Sequence, residues 1–348
     1  MAITAQQIKE AAKRMGADIV GIGSIDRWEG APAQMDPRMI MPKAKSVIAM
    51  GFRVLRGSLR GVEEGTFFSN YSGMGYGGIT YVYMPMTVMN LAKMIEDEGY
   101  EAVPMGHQSD WRGITNDGTL RKNYSRPVAP GKPYPDVMVQ LRIAGYLCGL
   151  GEIGWSKMLL TPEFGPRVRV GIIITELELE PDPIMEQGTL CNRCMACANQ
   201  CPGGCIPKDQ NDVVKVNLAG KEVEWGNVDV VKCGQTFVGA EMCKEGETGE
   251  YMLKEGKTDR KPAWFSPFYK KPKNLYNSGQ AICGAMGCTR ACMISLEARG
   301  LLKNKFHSPF RTEKLWRMDW SEEGIAADQP APYTPPYEKE AKEIDYAD

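Results

Sequence analysis

Four closely spaced cysteines, Cys191-x2-Cys194-x2-Cys197-x3-Cys201, followed directly by Pro202, constrain this chain more than any other stretch. A second group, Cys283-x4-Cys288-x3-Cys292, follows downstream. Ten of the eleven cysteines lie beyond a Pro-rich break, Glu180-Pro181-Asp182-Pro183. Thiols in such number either form disulfides or bind metal, and the compartment decides between the two. The opening run MAITAQQIKEAAKRMG lacks a charged n-region, an apolar h-region and a twin-arginine pair. No later stretch reaches the roughly 18 apolar residues of a membrane helix. The expectation is therefore a soluble, cytoplasmic chain whose thiols are reduced and serve metal binding or redox chemistry. With 42 Lys and Arg against 43 Asp and Glu, the formal charge is -1. That balance gives no electrostatic reason to expect nucleic acid or an anionic membrane surface as partner.

The first group has the spacing of a bacterial ferredoxin motif, in which three thiolates hold one 4Fe-4S cluster and the fourth cysteine reaches the other. A zinc site would use two separated pairs of ligands and has no need of the third cysteine or of the Cys-Pro step. The second group supplies three more thiolates, and one further ligand comes from upstream. Cys233 is the expected one, with Cys243 as the alternate. Crossed ligation assigns Cys191, Cys194, Cys197 and Cys292 to one cluster and Cys201, Cys233, Cys283 and Cys288 to the other. Of the remaining thiols, Cys148 reads as a small buried hydrophobe, while Cys205 and Cys243 are either spare or mis-assigned ligands.

Before the Pro-rich break, helices and strands alternate. Thr4-x-x-Gln7 opens a helix stopped by Gly16; Ile19–Ile22 and Ser46–Met50 read as strands. Val88, Leu91, Ala92 and Ile95 mark an amphipathic helix ended by Gly99, with Pro85 near its start. Glu101–Met105 reads as a strand, Met138–Leu147 as a helix, and Val168–Ile174 as the longest β-branched strand. This order implies an α/β domain. Beyond the break, Val213–Val216 and Glu222–Trp225 flank Leu218-Ala219-Gly220-Lys221 as a hairpin inserted between the cysteine groups. From Ser321 the chain carries eight acidic residues against two lysines, with four prolines, and reads as an extended tail. The expected domains are residues 1–182, 183–312 and a tail over 313–348.

A two-cluster module moves electrons to something, and most acceptors would leave a fingerprint. Gly73-x-Gly75-x-Gly77-Gly78 lacks the Gly-Lys-Ser/Thr ending of a phosphate loop and reads as a flexible loop. His107 and His307, the two histidines, are too few for a histidine metal centre. The segment with Gly149-Leu150-Gly151-Glu152-Ile153-Gly154 and Thr161-Pro162-Glu163-Phe164-Gly165-Pro166-Arg167-Val168-Arg169, followed by a strand and the two cysteine groups, carries a resemblance. It resembles the reductive dehalogenase family, and the Gly-Leu-Gly turn and both cysteine groups are shared with the related epoxyqueuosine reductases. The similarity spans about residues 130 to 300.

The resemblance implies a nitroreductase-like α+β or α/β domain that binds cobalamin or another corrinoid base-off, followed by a ferredoxin-like domain with two 4Fe-4S clusters. Tyr71, Met74 and Tyr76, with Tyr81 and Met84, are expected around the macrocycle, whose flat apolar face suits them. The resemblance adds Gly149, Leu150, Gly151, Gly154, Ser156, Lys157, Met158, Thr161 and Phe164 to the cofactor-binding set. Cleaving a carbon–heteroatom bond also needs a proton donor, for which Tyr134, Asp136 and Tyr124 are the candidates. Arg167 is the candidate anion stabiliser, because a guanidinium stays charged and offers several donors. A strand-holding salt bridge is the competing role for Arg167. The leading expectation is a corrinoid- and iron-sulfur-dependent reductase of a small molecule. It would be fed by a low-potential ferredoxin or flavodoxin, as a homo-oligomer or a complex subunit. An epoxyqueuosine reductase-like enzyme acting on tRNA, and a non-enzymatic two-cluster electron carrier, are the alternatives.

Overall fold

The computed structural model describes residues 3–107, 126–237, 240–242, 260–262 and 281–310. These belong to one compact unit spanning Met1–Lys314. Tyr124, Cys243 and the expected tail lie outside the described residues.

Helix α1 (Ala5–Arg14) starts as its cap requires: the Gln7 N–H donates to Thr4 Oγ1 at 3.3 Å and the Thr4 N–H to Gln7 Oε1 at 2.9 Å. Such a cap contributes about 1 kcal/mol. Gly16 ends the turn at φ +119°, and a Cβ there would lie 2.4 Å from the Tyr83 hydroxyl. Strands β1 (Ile19–Ser24) and β2 (Ser46–Arg53) follow, then helix α2 (Met84–Asp97) and strand β3 (Ala102–Met105). Helix α3 (Leu141–Leu147), the short pair β4 (Glu152–Ile153) and β5 (Leu159–Leu160), and strand β6 (Val168–Thr175) complete this part. Helix α3 begins later than its apolar pattern suggests because Gln140 caps it, its Oε1 accepting from the N–H groups of Arg142 and Ile143.

The main sheet runs β1–β2–β6–β3, and each neighbouring pair is antiparallel. The arrangement is thus α+β rather than the parallel layering that helix–strand alternation suggests. The connection from β1 to β2 shows why: it holds only single turns and the four-residue helix Pro37–Ile40, not the crossover helix a parallel neighbour needs. Strands β2 and β6 bury both faces. Val47, Ala49, Ile172 and Ile174 join a core with Trp28, Tyr146 and Leu147, while Ile48, Met50 and Ile173 join one with Ile8, Val88 and Leu91. Apolar residues in both phases of a two-residue period are what a sheet covered on both sides requires.

The Gly73–Gly78 stretch, expected as a loop, lies in a helix of the wide π form over Tyr71–Tyr83 that runs directly into α2. The Met84 N–H reaches back to the Ile79 carbonyl, five residues earlier. The glycines allow this by close packing rather than by floppiness: a Cβ at Gly75 would sit 3.0 Å from the Tyr71 ring and 3.2 Å from Ser58. Segments of this kind recur at functional sites.

The hairpin forms as its turn chemistry demands. Strands β7 (Val213–Leu218) and β8 (Lys221–Gly226) are joined by Ala219 and Gly220, both at positive φ, and Val223 and Trp225 plug into the first core. The cysteine-bearing elements are the helices Ala196–Asn199, α4 (Val230–Phe237), α5 (Ile282–Met286) and α6 (Cys288–Ala298). Among the described residues no helix is long and apolar enough to cross a membrane.

Candidate functional site

The loop that starts at Cys191 is held by a carboxylate. Glu152, completely buried, accepts the backbone N–H groups of Gly188, Leu190 and Cys191. Burial pushes its acidity toward the neutral form, and these N–H donors pull the other way. The Trp155 N–H then donates to Cys191 Sγ at 3.3 Å, and the Trp155 ring N–H to the Pro207 carbonyl at 3.0 Å. Arg193 and Met195 take left-handed φ values of 53° and 59°, so the loop curls around its own thiols. A residue that carries a Cβ costs on the order of 1 kcal/mol in that region.

Two thiol groups result. Cys292 lies in the field of Cys197, Cys191 and Cys194, and these four line one cavity beside Gly154 and Trp155. Cys283 lies in the field of Cys288, Cys233 and Cys201, and Cys288 in that of Cys201 and Cys233. Cys288 also bears on Cys197 and Cys292, so the two groups adjoin. The packing there is close: a Cβ on Gly287 would lie 2.6 Å from Pro202 and 2.8 Å from the Gln200 carbonyl. Burial, followed by neighbouring sulfurs, pushes the thiols of Cys197 and Cys288 up to about 12 and about 11. Cys205 stands beside the second group, its N–H donating to Cys201 Sγ at 3.4 Å and its sulfur 3.7 Å from Thr236 Oγ1. Among the described residues, no three or more His, Cys, Asp or Glu side chains converge as a single bound ion requires. Two open four-thiol groups, free of histidine and carboxylate, suit a multi-iron sulfide cluster, whose ligands stand farther apart than those of one zinc.

Beside the second group stands a shell of aromatic and cationic side chains. Tyr71 is buried within the field of Cys283 and Cys288, and its hydroxyl accepts from Arg169 Nη2 at 3.4 Å. The Arg169 guanidinium lies over the Tyr76 ring, 4.8 Å from its centroid. The hydroxyls of Tyr76 and Tyr81 are 3.0 Å apart, and the Tyr76 ring also meets His107 and Phe237 edge-on. Burial, then the Tyr81 hydrogen bond, pushes Tyr76 above the ordinary phenol range, so it keeps its proton. Arg142 donates to the Lys157 carbonyl at 3.0 Å, and both cations lie in the field of Cys233. Lys157 reaches this place through a left-handed turn at φ 60°. Among the described residues, Arg169 Nε and Thr80 Oγ1 are buried without a hydrogen-bond partner, as are Arg167 Nε and Glu297 Oε1. Such orphaned groups suit a ligand with a polar, amide-bearing fringe.

The other expected site residues fall elsewhere. Arg167 is buried, donating from Nη1 to the Val54 carbonyl at 2.7 Å and from Nη2 to Asn304 Oδ1 at 3.0 Å. It holds the chain just before β6 against residues 304–306, while Arg169, two residues on and inside the strand, donates to the Tyr71 hydroxyl and lies over the Tyr76 ring. Tyr134 is exposed, and Asp136 accepts from Gln34 Nε2 at 3.0 Å, near the short helix Ala33–Met35. The glycines of the shared turn serve packing: a Cβ on Gly149 would lie 2.5 Å from the Pro183 carbonyl, on Gly151 1.9 Å from the Leu160 carbonyl, and on Gly154 2.7 Å from the Leu160 side chain. Leu150, Thr161 and Phe164 are buried, and Met158 packs against the core of Leu160, Leu190, Leu296 and Leu302. Ser156 is at the edge of burial and lines the cavity of the first thiol group. Met74 is exposed on the π segment and Met84 is buried in the sheet core. Cys148 is fully buried, its thiol donating to the Val47 carbonyl at 3.3 Å.

Sequence reasoning missed Glu152, Arg169 and the pair formed by Glu63 and Arg290. In the last, Arg290 on α6 meets Glu63 through two hydrogen bonds of 2.5 and 2.8 Å, with both side chains 1% exposed. Arg290 also donates to Gln200 Oε1 at 3.2 Å. Arg290 falls between Cys288 and Cys292, a placement that could have drawn attention to it.

No family model matches the chain. It is 28% identical to a tetrachloroethene reductive dehalogenase of Desulfitobacterium hafniense over 65% of its own length and 44% of that protein's. An epoxyqueuosine reductase of Gloeobacter violaceus is 26% identical over 58% of this chain and 60% of that one. The chain therefore spans less than half the length of the dehalogenase. Among solved structures, a catabolic reductive dehalogenase in complex with 3-bromo-4-hydroxybenzoic acid overlaps at a TM-score of 0.45, with 19% identity over 86% of this chain and 36% of that one. The named homologues are oxidoreductases, and together they support a reductive dehalogenase-like family related to epoxyqueuosine reductase.

Proposed function

We propose that this chain is a reductase in which two 4Fe-4S clusters, on Cys191, Cys194, Cys197 and Cys292 and on Cys201, Cys233, Cys283 and Cys288, feed electrons to a corrinoid for reductive cleavage of a carbon–heteroatom bond. What supports it is the gathering of thiols into two adjoining groups, Cys292 in the field of Cys197, Cys191 and Cys194 and Cys283 in that of Cys288, Cys233 and Cys201, with Tyr71, Tyr76 and Arg169 beside the latter. In this reading residues 1–182 are a nitroreductase-like cofactor domain and 183–312 a ferredoxin-like domain. A corrinoid, when bound, supplies low-potential cobalt chemistry that no side chain can. The chain's own residues supply the rest. Tyr76, paired with Tyr81, holds a proton at its hydroxyl, and Arg169 offers a fixed positive charge and an unpartnered Nε to a developing anion. Tyr76 and Arg169 fit these roles better than Tyr134, Asp136 and Arg167, whose contacts lie elsewhere. The donor would be a low-potential ferredoxin or flavodoxin.

The epoxyqueuosine reductase of Gloeobacter violaceus favours a second reading, in which the same redox core acts on tRNA. The test begins with anaerobic reconstitution using iron, sulfide and cobalamin. Retention of about eight irons and one cobalt per chain is expected, followed by turnover of halogenated compounds with a low-potential donor. Turnover of epoxyqueuosine-containing tRNA, with the halogenated compounds inert, would move the assignment to the second reading. Eight irons without retained cobalt would leave an electron carrier.

A further inference from the structure

Helix α2 turns Val88, Leu91 and Ile95 into the core it shares with α1. The outward side of such an amphipathic helix is ordinarily polar, but the first half of this one is not. Val82 and Tyr83, at the end of the π segment, and Met86 and Met89, on α2, are between 40% and 56% exposed and form one apolar stripe. Beyond the stripe the surface turns acidic: Glu96, Asp97 and Glu98 are exposed, three carboxylates against the one ammonium of Lys93. Basic charge stands at the opposite end. The Tyr83 hydroxyl donates to the Gly16 carbonyl at 3.0 Å, and the Thr87 hydroxyl lies 3.0 Å from the Met15 carbonyl. The last turn of α1, with the exposed Lys13 and Arg14, is thereby fixed beside the start of α2. Among the described residues, none of these charged side chains has an ion-pair partner.

An apolar stripe with one basic and one acidic end is complementary to itself. When two copies lay their stripes together in opposite directions about a two-fold axis, Met86 and Met89 of one meet the same side chains of the other, and each acidic end faces a basic end. Packing in the same direction would set acid against acid and base against base. Burial of the stripe supplies the attraction, and methionine, with three rotatable bonds, adapts to a partner of its own kind. The unlike ends supply direction more than affinity. We infer that this face of α2 is the contact between two copies of this chain, a two-fold dimer closed by the methionines and by Lys13 and Arg14 of one copy against Glu96 and Asp97 of the other. The contact uses no thiol, so it stands apart from the redox reading.

The full chain, reconstituted anaerobically with iron and sulfide, is followed by sedimentation velocity over about a hundredfold span of concentration, along which the dimer fraction should rise. Met86→Asp places a charge at the centre of the stripe twice, once per copy, and should weaken dimerisation by about 10²- to 10³-fold. Its side chain is exposed, so unfolding in denaturant should stay close to that of the wild type. Two further variants read the direction of packing. A chain with Lys13→Glu and Arg14→Glu is acidic at both ends, and one with Glu96→Lys and Asp97→Lys is basic at both. Each alone should dimerise about tenfold more weakly, and an equal mixture of the two should recover the loss. A wild-type chain that stays monomeric throughout overturns the inference, whether or not it floats with phosphatidylcholine vesicles. A dimer that Met86→Asp leaves intact overturns it too, as does a mixture of the charge variants that associates no better than either alone.

Discussion

Around Cys191, Cys194, Cys197 and Cys292 the neighbours are hydrogen-bonding groups that fix the loop, whereas around Cys201, Cys233, Cys283 and Cys288 they include cations and a phenol whose fields reach the thiols. The first loop is pinned by Glu152, which gathers N–H groups, and by the Trp155 N–H on Cys191. Its Cys194 is exposed and touches only Ser295 Oγ among its hydrogen-bond neighbours, at 3.4 Å. The second group has Tyr71, Arg142 and Lys157 in its field and Cys205 beside it. Equal ligand chemistry can thus be placed in unequal electrostatic surroundings. Each group has one exposed thiol, Cys194 in the first and Cys233 in the second, and what sets the second apart is the cations and phenols beside it, which suit it to face a ligand.

The largest expected effect comes from the element both groups share. Helix α6 carries Cys288 and Cys292 and is tied to the N-terminal part by Arg290 and Glu63. Glu63→Gln leaves a buried guanidinium without its counter-charge, which costs about 3–5 kcal/mol. Denaturant unfolding should show that loss, and iron analysis should show depletion of both clusters. Depletion of one alone would break the picture of a shared support. Glu152→Gln comes next, at about 1–3 kcal/mol, since an amide presents a donor to N–H groups that need an acceptor. Iron should fall by about half, with the cluster on Cys191 lost and the other kept. Loss from the second group instead would reverse the contrast.

Arg169→Met should leave both clusters intact and lower turnover by about 10²- to 10³-fold, the scale for removing one anion-stabilising donor. Arg169→Lys should recover only part of it, because a compact ammonium cannot both donate to Tyr71 and cover the Tyr76 ring. Steady-state rates at matched iron and cobalt content decide this, and unimpaired turnover would remove Arg169 from the ligand-facing side. The smallest effect belongs to His107. Partial burial, then the charge of Arg169, lowers it below its ordinary 6.5. A lowered folded-state value means that stability is present above 6.5 and declines as pH falls from there toward the folded-state value. His107→Asn should flatten that decline in denaturant titrations. An unchanged slope would place the ring outside the field of Arg169.

Cysteine spacing and strand composition were legible in the sequence because they are local. Thiol sets at short separations can close on a cluster in few ways, and β6 reads as a strand from its own β-branched residues. The capping box at Thr4 and the Ala219-Gly220 turn are likewise written in neighbouring positions. Strand direction was not legible, since alternation of helix and strand leaves open whether a neighbour is parallel. Nor was the Gly73–Gly78 stretch, where glycine's lack of Cβ allows a close-packed π helix as readily as a loop.

The choice between Arg167 and Arg169 shows the limit most plainly. Two residues of one type, both in the shared run, are equivalent on paper. Only the sheet settles that the first meets Val54 and Asn304 and the second meets Tyr71 and Tyr76. The sequence by itself displayed the thiols, four in one spaced set and three in another, because residue type and local spacing are covalent properties of the chain. Tertiary structure alone decided which charges stand beside each set. Glu152, Arg142, Arg169 and Arg290 reach their places through contacts between residues far apart in sequence, and burial determines what those charges are worth.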